Sequence, residues 1–188
     1  MQTTSNIIGI FDRQINAWFF GLRNTVTEKV FFGFTTLGEA AFVIILALII
    51  SAFLWRWRKN WQIAAMWVAI IGSEATTYIL KLFFDRARPA GALVLESSSS
   101  FPSGHATIAI AFYGFLAYLL LREIKKYRPL TLVVSIIIIL AIGFSRLYLG
   151  VHYLSDVLAG YLVGAVWLAI GIKIDKLKSI SNRCNLNL

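Results

Sequence analysis

Apolar residues run in long blocks along this 188-residue chain, separated by short charged stretches. Five blocks approach the roughly 20 residues a helix needs to cross about 30 Å of hydrocarbon. They cover about residues 36–55, 61–84, 103–121, 129–147 and 153–174. Backbone groups have no water to bond in lipid, so these blocks are predicted as helices. Residues 7–20 differ. Ile7, Ile8, Ile10, Phe11, Ile15, Trp18 and Phe19 recur at roughly helical spacing, but Asp12 and Arg13 break the run. The segment is short for a span and reads as an amphipathic helix lying in the interface, with Trp18 at headgroup depth. A cleaved signal peptide fits less well, because the basic start is missing. The expected architecture is an all-α integral membrane helical bundle: five transmembrane helices plus an N-terminal amphipathic interfacial helix. It divides into an interfacial segment (1–35), a transmembrane domain (36–176) and a tail (177–188).

Composition agrees with this pattern. Hydrophobic residues make up 59% and charged residues 14% of the chain, against about 45–50% and 25% in soluble domains. Mean hydropathy is +0.74. A soluble globule could not cover so much apolar surface, and a disordered chain would not carry it. The 13 Gly and 3 Pro exclude a collagen-like chain. The single cysteine, Cys184, excludes an internal disulfide framework and a Cys-rich metal site, and reads as an inert thiol.

Charge adds orientation. The net charge is +9, from 18 Lys and Arg against 9 Asp and Glu. Arg56, Arg58 and Lys59 follow the first span. Arg122, Lys125, Lys126 and Arg128 separate the third and fourth. Lys173, Lys176, Lys178 and Arg183 follow the fifth. The positive-inside bias makes these segments cytoplasmic, so the N-terminus, the 85–102 loop and the 146–152 turn face outward. Seven basic residues then remain outside: Arg13, Arg23, Lys29, Lys81, Arg86, Arg88 and Arg146. Both histidines, His105 and His152, share that side. Snorkelling anchors account for any one of these cations alone.

Three ordered patterns ask for more. Lys81 and Arg88-Pro89 stand seven apart, two helical turns, with Pro89 expected to end the helix. Two cations on one face suit a phosphate, since Arg binds two oxygens at once. Pro102-Ser103-Gly104-His105 opens an apolar run. Free N–H groups and the helix dipole favour an anion there, and Gly104 lets an oxyanion approach the backbone. An N-cap serine beside an incidental histidine is the plainer alternative. Ser145-Arg146 precedes His152 and Asp156, four residues apart. If that stretch is helical, the carboxylate lies beside the imidazole, either as a structural ion pair or to orient a nucleophile. Outside these patterns, Glu74 lies within the second span, where an ionisable residue is a functional candidate for shaping a substrate slot or a hydrogen-bonded packing residue. Asp85 and Arg86 are expected to pair locally.

Together these residues resemble the signature of the type-2 phosphatidic acid phosphatase superfamily: Lys ahead of Arg-Pro, then Pro-Ser-Gly-His, then Ser-Arg with His and Asp downstream. The resemblance runs from about residue 36 to 176. It implies a small bacterial integral membrane lipid phosphatase acting through a phosphohistidine, with no cofactor and no metal. His152 would attack phosphorus, Asp156 would support it, and His105 would protonate the leaving group and then activate water. Lys81, Arg88, Ser103, Gly104 and Arg146 would bind the phosphate. The implied partners are the lipid bilayer and a lipid phosphate: phosphatidic acid, phosphatidylglycerophosphate, diacylglycerol pyrophosphate or undecaprenyl pyrophosphate. No nucleic-acid partner is expected, and the oligomeric state is open. The implied setting is the bacterial cytoplasmic membrane, with the site facing the periplasm or exterior. The rivals are a non-catalytic lipid-phosphate binding or transport protein and a vanadate-dependent haloperoxidase-like enzyme. Binding alone does not need both histidines and Asp156, and the spans argue against the haloperoxidase.

Overall fold

The computed structural model describes residues 2–184, which form helices and connecting turns with no strand among them. Residues 185–188, the end of the expected tail, lie outside the described residues. The helices are α1 (Gln2–Gly21), α2 (Thr25–Thr36), α3 (Ala40–Arg56), α4 (Asn60–Phe84), α5 (Gly104–Ile108), α6 (Gly114–Glu123), α7 (Arg128–Tyr148) and α8 (Leu154–Cys184). A π-helical turn, Ala109–Tyr113, joins α5 to α6 into one span. Four spans are long and apolar enough to cross a membrane: α4, α5 with α6, α7, and α8. A fifth exists if α2 and α3, bent by 48° across residues 37–39, are taken together.

The bend falls at the start of the first span, expected over about 36–55. Helix α3 alone has 17 residues, about 25 Å at 1.5 Å per residue. Its N-terminus starts two residues after Gly38, which sits against His105. A Cβ on Gly38 would lie 2.8 Å from His105 Cδ2 and 2.8 Å from Ile142 Cγ2. The chain can pass this close only without a side chain. At the other end of α3, Lys59 N–H bonds Leu54 carbonyl at 2.9 Å, as in a Schellman cap. The left-handed position of that cap is Arg58, at φ 56°. A non-glycine residue there costs about 1–2 kcal/mol.

Helix α4 also ends earlier than Pro89 suggested. Asp85 adopts a left-handed conformation (φ 35°) and closes the helix after Phe84. Arg88 therefore lies outside the helix that carries Lys81.

The bundle holds together by close packing, since lipid tails offer little hydrophobic driving force between helices. Val43, Met66, Ile108, Phe112, Phe115 and Ile142 form the centre of the core. Helix α8 crosses the site end through two glycines one turn apart. A Cβ on Gly160 would lie 2.5 Å from Ser103 carbonyl, and one on Gly164 would lie 2.4 Å from Thr107 carbonyl. Outward faces carry Ile45, Leu48, Ile137, Leu162 and Val166, all exposed, as a lipid-facing surface requires. Helix α1 exposes Ile7, Ile8, Phe11 and Trp18 but buries Asp12 and Phe19. It packs against α7 and α8.

Candidate active site

The three sequence patterns converge at one end of the bundle. Ser103 caps α5, and its hydroxyl accepts the Ala106 N–H at 3.4 Å. A Cβ on Gly104 would meet only Thr77 Cγ2, at an ordinary 3.7 Å, so packing does not demand the glycine there. His105, one residue on, has its Nε2 buried with no hydrogen-bond partner. A polar atom left in that state normally costs stability.

His152 precedes α8 and does not lie within it, so its pairing with Asp156 does not follow from helical spacing. It is 1% exposed. Its Nδ1–H donates to Ser100 carbonyl at 2.7 Å, and Asp156 Oδ2 lies 3.7 Å from the same nitrogen. That tautomer leaves Nε2 with its lone pair free, 3.4 Å from Arg88 Nη1. Burial pushes the His152 pKa down to about 4, and the Asp156 bond only partly offsets it. The imidazole is therefore neutral at neutral pH.

Asp156 is itself tightly held. Oδ2 accepts from Ser100 Oγ at 2.5 Å and from Tyr153 N–H at 2.8 Å. The second bond is half of a capping box at the start of α8. Oδ1 accepts from Arg86 Nη1 at 2.5 Å.

Arg86 thus pairs with Asp156, not with Asp85 as expected. Its other nitrogen reaches Asp12 at 2.8 Å. Asp12 is buried and also accepts from Ser155 N–H at 3.0 Å and Ser155 Oγ at 2.5 Å. Burial works to lower the Arg86 pKa, but the Asp12 bond and the Asp156 charge outweigh it and raise the value.

The remaining cations meet around the 85–102 loop. Lys81 Nζ bonds Ser98 Oγ at 3.1 Å and Ser99 carbonyl at 2.6 Å. Arg88 bonds the same two residues and Val151 carbonyl at 2.8 Å. The loop, not a shared helical face, brings Lys81 and Arg88 together. Arg146 is buried, with Nη1 on Thr35 Oγ1 at 2.6 Å. Its Nε is buried without a partner.

Glu96, which the sequence patterns did not single out, occupies the centre. One carboxylate oxygen pairs with Arg146 Nη2 and the other with Arg88 Nη2 at 2.7 Å. Burial would raise its pKa, but the charges of Arg146 and Arg88 hold it below the usual carboxylate value. A carboxylate bridging two guanidiniums has the donors a phosphate would use.

Next to His105, a cavity of about 240 Å³ is bounded by Gly38, Val43, Ile44, Ile70, Glu74 and Gly104. Glu74 and Ile44 are exposed at its outer side. A polar centre beside an apolar recess suits a ligand with a charged head and an oily tail. Among the described residues no group of three His, Cys, Asp or Glu side chains is placed to hold a metal ion.

Comparison with known proteins identifies the family. The model of the PAP2 superfamily matches residues 62–179. Phosphatidylglycerophosphatase B of Bacillus subtilis (strain 168) is 35% identical over 147 residues, covering 76% of this chain and 72% of that protein. The crystal structure of a transmembrane PAP2-type phosphatidylglycerolphosphate phosphatase from Bacillus subtilis superposes with a TM-score of 0.86 at 32% identity, covering 91% of this chain and 87% of the other. Aquifex aeolicus LpxE superposes with a TM-score of 0.67 at 27% identity, covering 87% and 93%. The chain belongs to the PAP2 superfamily and is a membrane-embedded phosphatase of that family.

Proposed function

We propose that this phosphatase removes a phosphate from a membrane lipid through a phosphohistidine on His152, without a metal. The observation that carries the reading is the pairing of two different histidine environments beside one cationic cradle. His152 Nε2 is neutral and unprotonated, while His105, a lining residue of the apolar recess, has its Nε2 buried and unpartnered.

The steps follow from those positions. Substrate phosphate takes the place of the Glu96 carboxylate between Arg88 and Arg146, with Lys81 alongside. The Gly104 N–H and Ser103 hydroxyl hold a further oxygen. His152 Nε2 forms the N–P bond as the P–O bond to the lipid breaks, and His105 gives a proton to the departing oxygen. Water then attacks phosphorus, His105 takes its proton, and the N–P bond breaks to release orthophosphate. Negative charge spreads over the equatorial oxygens throughout, so fixed cations lower the barrier more than any other device here. Asp156 supports the imidazole through Ser100 and stabilises the cation formed at His152.

The recess lined by Ile44, Ile70 and Glu74 favours a substrate with its tail in the bilayer. The name of the Bacillus relative favours phosphatidylglycerophosphate among the candidates, with undecaprenyl pyrophosphate and phosphatidic acid as the comparison set. Glu74 would line the entry. The site would face the periplasm or exterior of a bacterial cytoplasmic membrane, opposite the basic loops. The test is phosphate release by purified protein from a panel of these lipids, with and without EDTA. Turnover of at least one lipid that EDTA leaves intact is expected. Loss on EDTA treatment that magnesium restores would contradict the metal-free scheme.

A further inference from the structure

The end of the bundle opposite the histidines holds a second polar cavity, also about 240 Å³. Four cations border it, Arg58, Lys59, Arg122 and Lys178, against two carboxylates, Glu123 and Asp175. Asp175 is buried and engaged by Arg122 and by Tyr118 Oη at 2.8 Å. Lys59 pairs with Glu123 at 2.6 Å. Lys178 Nζ sits over the Trp61 ring, 4.5 Å from its centroid. The Arg58 N–H bonds Trp55 carbonyl at 2.9 Å, but among the described residues no side-chain hydrogen bond or ion pair engages its guanidinium. Arg58 also holds the left-handed cap position that glycine takes without strain. The cavity thus keeps a positive excess, and one of its cations sits where the backbone gains nothing from an arginine.

An apolar groove of about 570 Å³ adjoins this cavity and shares Lys59, Gln62 and Glu123 with it. Phe53, Trp57, Leu116, Leu119 and Leu120 line the groove. A basic pocket alone accepts any anion, and a groove alone accepts any hydrocarbon. Joined at shared residues, they fit a molecule that is anionic at one end and oily along its length.

We propose that this is a binding site for one anionic glycerophospholipid of the leaflet opposite the catalytic residues. The headgroup phosphate lies among Arg58, Arg122 and Lys178, and an acyl chain lies along Phe53 and Leu120. The site is separate from the catalytic end and does not depend on which lipid is hydrolysed there.

Native mass spectrometry of the full-length protein in detergent tests it, with dioleoylphosphatidylglycerol and dioleoylphosphatidylcholine as probes. The first phosphatidylglycerol should bind about fivefold or more tighter than phosphatidylcholine, the size expected of charge-assisted contacts in a partly exposed site. The double variant R58Q/K178Q should bring the two lipids to parity. Leu120→Trp, which fills the groove and removes no charge, should weaken the first binding of both. Inorganic phosphate, lacking the chain, should displace little of the bound lipid. Equal binding of both lipids to the unmodified protein would overturn the proposal. So would an undiminished preference in R58Q/K178Q, which would place the bound lipid at the catalytic end. If the double variant does not fold, unchanged lipid binding by Leu120→Trp would overturn it equally.

Discussion

The two ends of the bundle both carry Arg–carboxylate pairs, yet they are built differently. At the histidine end, Arg146, Asp12 and Asp156 are buried, at 2%, 2% and 0% exposure. At the opposite end, Lys59 and Glu123 are 33% and 48% exposed, and Arg122 is 36% exposed over a buried Asp175. Exposed pairs contribute about 0–1 kcal/mol. Removing one partner of a buried pair costs about 3–5 kcal/mol, because the other charge is stranded. The histidine end also leaves nitrogens without partners, at His105 and Arg146. A cluster kept only for stability would have satisfied them. The contrast separates a buried cluster with unpartnered nitrogens, in our proposal the site of reaction, from a surface that anchors helices and, in our further proposal, holds a lipid.

Substitutions should expose this difference, in descending order. If His152 is the nucleophile as proposed, His152→Ala should lower phosphate release by about a thousandfold or more, while lipid binding survives. Asp12→Asn should come next. It weakens the hold on Arg86 and Ser155, and through Arg86 on Asp156. A fall in kcat of about tenfold with KM little changed is expected, together with about 2 kcal/mol of lost stability. Equal kcat would remove α1 from the positioning of the site.

Glu96→Gln should act in the other direction on anion affinity. Losing the resident carboxylate should tighten inhibition by orthovanadate about tenfold, measured as Ki. Weaker inhibition would mean that Glu96 holds the arginines in place and is not displaced. The pH response is a further test. With the His152 pKa at about 4 against 6.5 when unperturbed, the neutral imidazole that the proposed scheme needs persists well below pH 6. The acid limb of kcat/KM should lie near pH 4. The same shift means that the unfolded chain binds a proton before the native one does. The stability His152 contributes above pH 6.5 is therefore lost as pH falls through about 4. A limb near 6.5 would show that burial does not control this imidazole. Glu123→Gln, at the opposite end, should change stability by less than about 1 kcal/mol and leave turnover unchanged.

Much of this was legible in the chain. Long apolar blocks gave the spans, because lipid permits only self-satisfied backbone. Lys81, Arg88, Ser103, His105, Arg146, His152 and Asp156 stand out in the sequence because local order carries them, and the fold brings them to one end of the bundle. What was missed depends on distance in sequence. Asp12 meets Arg86 across 74 positions, and Glu96 meets Arg146 across 50. No spacing rule links such pairs. The expected Asp85–Arg86 pair failed for a local reason, since Asp85 takes the left-handed cap conformation and Arg86 turns to stronger, buried partners. Likewise Pro89 looked like the end of α4, but Asp85 had already closed it. The bend between α2 and α3 was hidden because Gly38 reads as an ordinary small residue until His105 is seen against it.

The most direct measurement is capture of the covalent intermediate. The purified protein would be mixed with a lipid carrying a radiolabelled terminal phosphate, quenched in alkali within milliseconds, and its peptides sequenced. Alkali-stable, acid-labile label on the peptide containing His152 is the expected result, absent when His152 is replaced by Ala. Label absent from His152 under conditions of full turnover, or label on His105 instead, would contradict the scheme.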